Sequence, residues 1–177
     1  MMMLALEGEV SEVYLQPGES HLAHQATIIR TILGSCVGIS FWSARLGIGG
    51  LCHCQLPRWP AKPTAPLSPV IRRRYVDFAI RDFARQFDEL GASRSEVQVK
   101  LFGGADVLVV NNSISSKPTV GKLNCLAAIE VVEAEGFAVV ASSLGGTSGL
   151  NIQFDTRTGE VCLRRLHRVV FEDILQE

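Results

Sequence analysis

Two apolar runs rich in β-branched and aromatic residues, Ala26 to Leu33 and Cys36 to Trp42, are separated only by Gly34-Ser35. Two residues cannot hold a helix, so the break suits a bend or bulge that swings the next side chain, Cys36, out of the sheet. Val10 to Leu15 forms a short strand that Pro17-Gly18 ends, and Gly47 to Leu56 forms another, entered through glycines. These segments build a β core with Cys36 at one strand's start and His53 near another's end.

Pro60, Pro63, Pro66 and Pro69 forbid regular pairing and make residues 57–69 an exposed, semi-rigid loop. A linker between domains is the competing reading, but the halves on either side are small for independent cores. Residues 1–177 are therefore expected to form one domain. Ile71, Tyr75, Phe78, Ala79, Phe83, Phe87 and Leu90 recur at helical spacing, and Gly91 supplies the stop. The opposite face, with Arg72, Arg73, Arg81, Asp82, Arg85 and Asp88, reads as solvated. Val97 to Phe102 is a strand running into Gly103-Gly104, and Asn111 to Thr119 breaks the pattern. A second helix covers Gly121 to Glu135 and stops at Gly136, and a strand spans Phe137 to Ser142. Leu150 to Phe154 and Val161 to Leu166 form a hairpin, and Val169 to Glu177 a terminal helix. Strands cluster early and late with two helices between them, which is an α+β arrangement.

Composition narrows the function. The chain has 177 residues, 47% apolar and 20% charged, so it folds rather than staying disordered. Seventeen Lys and Arg against eighteen Asp and Glu leave a net charge of -1, which disfavours nucleic-acid binding by counterion release. No run approaches the ~18 apolar residues of a membrane-spanning helix. The start, Met1 to Leu6, lacks the basic region of a secretory signal, and five cysteines without framework spacing suit free thiols. A cytoplasmic location is expected.

Amide hydrolysis needs a nucleophile, a base and oxyanion donors. Cys36, at a tight turn whose amides face a bound carbonyl, and His53 supply the first two types, and Thr31 has an oxygen to fix the imidazole tautomer. The plainer reading is a buried structural cysteine and a core histidine. A metal site at Cys52-His53-Cys54 is opposed by alternation, which sends the cysteines to one face and His53 to the other. His21 and His24 lie in a polar stretch expected to face solvent, and His167 lies in a basic strip with Arg164, Arg165 and Arg168. The glycine pairs at 103 and 145 lack phosphate-loop spacing and read as turn glycines crowding a cleft.

The runs Thr31-Ile32-Leu33-Gly34-Ser35-Cys36-Val37-Gly38-Ile39, Leu46-Gly47-Ile48-Gly49-Gly50 leading to His53 and Leu56-Pro57, and Lys100-Leu101-Phe102-Gly103-Gly104-Ala105 closely resemble the CheD family of chemoreceptor glutamine deamidases. Similarity extends to the helix from Tyr75, Val120-Gly121 with Asn124, Gly145-Gly146 with Gly149, and Thr158-Gly159. The resemblance implies a three-layer α/β/β sandwich with mixed sheets and two main helices, similar to the catalytic domains of deamidating bacterial toxins. It implies Cys36 as nucleophile, His53 as general base and acid, and Thr31 as the imidazole's orienting partner. The implied substrates are glutamines of methyl-accepting chemotaxis receptors, with a CheC-type phosphatase as a further partner and no cofactor or metal. The alternative is a binding module docking to receptors or to that phosphatase. The sequence departs from the family pattern at Ser143, Leu150 and Leu123, which bears on docking. Cys52 and Cys54 beside His53 suggest sensitivity to oxidation.

Overall fold

The computed structural model describes residues 9–60, 68–106 and 117–166. The Pro-rich stretch 61–67, residues 107–116 and the expected terminal helix, together with His167, lie outside the described residues. Nine strands run β1 (Ser11–Tyr14), β2 (Ser20–Ala23), β3 (Thr27–Leu33), β4 (Val37–Ser43), β5 (Ile48–Cys54), β6 (Gln98–Gly103), β7 (Val139–Leu144), β8 (Leu150–Asp155) and β9 (Val161–Arg165). The α-helices are α1 (Pro69–Arg72), α2 (Val76–Glu89) and α3 (Val120–Ala134).

The strands form two sheets, ordered β1-β3-β8-β9 and β2-β5-β4-β6-β7. Both are mixed, because β1 pairs with β3 and β6 with β7 in parallel while the other pairs are antiparallel. Gly34-Ser35 does more than bend a strand. It carries the chain out of the first sheet and into the second, so the two apolar runs it separates are not neighbours.

Alternation along the second sheet sorts its side chains into two cores. Val37, Ile39 and Phe41 of β4, Cys52 and Cys54 of β5, and Val99 and Leu101 of β6 pack under α2 and α3. Leu51 and Phe102 point the other way, into a layer shared with Ile29, Leu33, Ile152 and Phe154 of the first sheet. The layers are therefore helices, sheet and sheet, as the resemblance implies. Every residue of β5 is buried because both of its faces are covered. Its glycines make room for aromatic rings: a Cβ on Gly49 would come within 2.9 Å of Phe154 on one side, and one on Gly50 would overlap Phe83 on the other. Phe83 stacks on Phe41 with ring centroids 4.8 Å apart, a geometry worth about 0.5–1.5 kcal/mol beyond the area it buries.

Three expectations are corrected. The helix expected from Ile71 to Leu90 is broken: Arg72 ends α1, Tyr75 is extended, and α2 begins at Val76. The break serves the end of β5, where the Arg74 carbonyl accepts from the amides of Gln55 and Leu56, and Val76 donates to the Leu56 carbonyl. Gly91, at φ +72°, does stop α2. The charged face of α2 is not uniformly solvated, since Asp82 is buried and accepts from Arg73, Arg85 and Gln86. A strand also forms where a polar stretch was read: β2 pairs with β5, which leaves His21 half-buried opposite Leu51 while His24 stays exposed.

Candidate active site

Thr31 on β3 and His53 on β5 lie on the strand faces that meet between the two sheets, and both are buried. Thr31 Oγ1 is 2.8 Å from His53 Nδ1 and 2.8 Å from the Leu15 carbonyl oxygen. A carbonyl only accepts, so the hydroxyl donates to Leu15 and its lone pair accepts the Nδ1 proton. That fixes the tautomer and leaves Nε2 with its lone pair. Nε2 is buried and has no partner among the described residues. Burial pushes the imidazole down to about 4, against smaller opposing effects of the Leu15 carbonyl and Glu19, so the ring is neutral at pH 7.

The backbone around His53 is held on both sides. Its amide donates to the Glu19 carbonyl at 2.9 Å, and its carbonyl accepts from Gly18 at 2.8 Å. Gly18, at φ +88°, makes the turn that brings Leu15 and Glu19 to the ring. The sequence reading missed both residues, and Pro17-Gly18 marked the turn without indicating what it presses against.

Cys36 is the last of three bend residues, Gly34 to Cys36, and is half-buried against the inter-sheet layer. Register sets Gly38 opposite His53 and Val37 opposite Cys54. Cys36 therefore precedes His53's cross-strand neighbour by two residues and packs against the same inter-sheet layer. Burial pushes its thiol up, and its own backbone N–H partly offsets this. With the thiol raised and the imidazole lowered, both groups rest uncharged at pH 7.

All three carbonyls of the bend accept hydrogen bonds. The amide of Ala105 donates to Gly34 at 2.9 Å and that of Gly104 to Cys36 at 2.8 Å, while Asn124 Nδ2 donates to Ser35 at 2.9 Å. Gly103 and Gly104 have φ of +89° and +69°, and a Cβ on Gly103 would overlap the Cys36 carbonyl oxygen. The turn glycines at 103 and 104 thus press directly on the cysteine bend. Asn124 also donates to the Gln55 carbonyl at 3.1 Å. It sits on the inward face of α3 with Gly121, Ala128 and Val131, and a lone Asn at that spacing is the sequence signal of a buried polar anchor.

Cys52 and Cys54 point away from His53, into the core under the helices, and both are fully buried. Cys52 beside it, and burial, push the Cys54 thiol up. The suggested oxidation sensitivity from these two thiols is therefore corrected, because neither shares the His53 side of the sheet. Among the described residues no group of His, Cys, Asp and Glu is placed to hold a metal ion, and no helix is long and apolar enough to cross a membrane.

Residues 60–165 match the family model described as CheD, chemotactic sensory transduction. The probable chemoreceptor glutamine deamidase CheD 2 of Geobacter sulfurreducens is 39% identical over 166 residues, spanning 94% of this chain and 97% of that protein. The chain belongs to the CheD family. A second CheD, the probable chemoreceptor glutamine deamidase of Maridesulfovibrio salexigens, is 34% identical over 93% of this chain and 98% of its own length. The crystal structure of the hypothetical protein YfiH of Bacillus licheniformis aligns at a TM-score of 0.48 and 8% identity, over 72% of this chain and 51% of that one. The chain thus spans about half the length of that structure. The three residues expected to depart from the family pattern lie at distinct places. Leu150 is buried between the sheets opposite Leu33, Ser143 is half-buried on β7 opposite Phe102, and Leu123 is exposed on α3.

Proposed function

We propose that this member of the CheD family is a chemoreceptor glutamine deamidase that works by thiol chemistry, with Cys36, His53 and Thr31 as its catalytic set. The observation that carries the reading is the chain Leu15 carbonyl, Thr31 hydroxyl, His53 ring, which leaves Nε2 as a neutral proton acceptor in the layer that Cys36 borders. Cys36 Sγ attacks the carboxamide carbon of a receptor glutamine as its proton passes to Nε2. The C–N bond breaks, ammonia departs with the Nε2 proton, and a thioester remains. Water then adds to the thioester and gives a proton to Nε2, the carbon–sulfur bond breaks as that proton returns to sulfur, and the acid released ionises to glutamate. Thr31 keeps Nδ1 protonated throughout. No step calls for a cofactor or metal. The reaction belongs on the cytoplasmic side, where receptor signalling helices lie.

Incubation with receptor cytoplasmic fragments, read by mass spectrometry, is expected to give Gln-to-Glu conversion that Cys36→Ala abolishes. Equal conversion by Cys36→Ala overturns the assignment.

A docking role is favoured by one feature: Val120, Leu123, Leu126 and Ile129 expose an apolar stripe along α3. On this reading the chain acts chiefly by binding receptors or a CheC-type phosphatase. Pull-down that persists in Cys36→Ala, with adaptation restored in cells by that variant, would favour it over catalysis.

A further inference from the structure

We infer that Asn124 is a positioning residue that aims the backbone N–H of Cys36 at the reacting carbonyl and ties the cysteine bend to the histidine strand. The inference rests on the thiol reading of the site.

The two contacts of Asn124 fix its orientation. Both partners of Nδ2, the carbonyls of Ser35 and Gln55, are acceptors, so a flipped amide would place Oδ1 against two oxygens. Asn124 is fully buried, so water does not compete for these bonds. Its Oδ1 is buried with no partner among the described residues, an unfavourable state tolerated because the other end of the amide is doubly used.

One peptide plane carries the consequence. No peptide bond in the described residues is cis, and in a trans peptide the C=O and the following N–H point in opposite directions. The Ser35 carbonyl, held toward α3 by Asn124, therefore turns the Cys36 N–H away from the helix. The Ala105 amide, by holding the Gly34 carbonyl, likewise turns the Ser35 N–H away from the loop after β6. Two adjacent N–H groups are thus fixed in place, each turned away from the donor that holds the carbonyl of its peptide, as preset donors for a developing oxyanion require. The backbone amides of Gly104 and Ala105 hold carbonyls of the bend and none on the histidine strand. Asn124 alone among these donors also holds the Gln55 carbonyl, two residues beyond His53, so one amide group sets both halves of the reacting pair.

The test uses the full chain with a receptor cytoplasmic fragment, comparing wild type, Asn124→Ala, the isosteric Asn124→Asp and His53→Ala. Turnover is measured beside the pH dependence of iodoacetamide labelling at Cys36, followed on its own peptide by mass spectrometry. Protection of Cys52 and Cys54 from the same reagent reports folding. Asn124→Ala is expected to lower kcat about 100-fold with KM within about threefold, as for a misaimed transition-state donor. Its Cys36 labelling curve is expected to move to higher pH, because the aligned N–H favours the thiolate. Asn124→Asp, which keeps the shape and removes the donor, is expected to be no better than Asn124→Ala. Wild-type kcat and labelling in a folded Asn124→Ala would overturn the inference. So would exposure of Cys52 and Cys54 in both Asn124 variants, which would make the role architectural. Full turnover by His53→Ala would instead overturn the deamidase reading on which the inference rests.

Discussion

His53 joins stability to pH through its burial. The unfolded imidazole takes up a proton near its ordinary 6.5, whereas the folded one does so only near 4. Between those values the unfolded chain binds more protons, so stability falls as pH drops across that window and levels off below it. The full difference is about 3 kcal/mol, taken as the interval between the two values at roughly 1.4 kcal/mol per unit. Urea unfolding midpoints measured from pH 7 to pH 4 should fall more steeply for wild type than for His53→Gln, and parallel curves would contradict the neutral buried ring. The contact of Thr31 with His53 was legible in the sequence through the family resemblance, and Gly34-Ser35 flagged the unusual turn before Cys36. Leu15 was not legible, since it contributes only a carbonyl, and a backbone atom leaves no mark on residue identity. The charge state of the pair was equally hidden, because it depends on burial from both sheets.

The strand–glycine–glycine element at the end of β6 is shaped by what lies beneath it. Gly103 has φ +89° and faces the Cys36 carbonyl, so a side chain there meets both conformational strain and a backbone atom that cannot rotate away. Gly103→Ala is expected to cost at least about 1–2 kcal/mol from the left-handed conformation alone. It should also displace the cysteine bend, giving a lowered Tm together with lost deamidation. Deamidation retained at the wild-type rate would show that the bend does not depend on this contact. Most elements could be read from period and punctuation: β3, β4 and β5 from apolar runs, and the ends of α2 and α3 from Gly91 and Gly136 at φ +72° and +80°. The failures have specific causes. Side-chain spacing carried the helical pattern through Tyr75, but the ends of β5 and α1 share hydrogen bonds there and the backbone must open. In β2 four residues, Ser-His-Leu-Ala, are too few to display a period.

Across the whole molecule, the site belongs to the contact between sheets rather than to either sheet. Sequence order could not show this, because β3 and β4 are consecutive and yet lie in different layers. Ile152 on β8 is directly opposite Thr31 and fully buried between the sheets, while Ile80 on α2 is equally buried in the other core. Ile152→Val and Ile80→Val should each lose about 0.5–1.5 kcal/mol of stability. Turnover should fall several-fold only for Ile152→Val, because loosening the inter-sheet layer disturbs the Thr31–His53 bond and loosening the helix side does not. Equal effects on turnover would mean that the site is insensitive to how the sheets meet. The Thr31–His53 bond bridges two slabs that the chain crosses at the β1–β2 turn, which holds both partners of that bond, as well as at the bend that ends in Cys36. With two seams stitched so close to the imidazole, one slab cannot slip on the other without dragging on that bond.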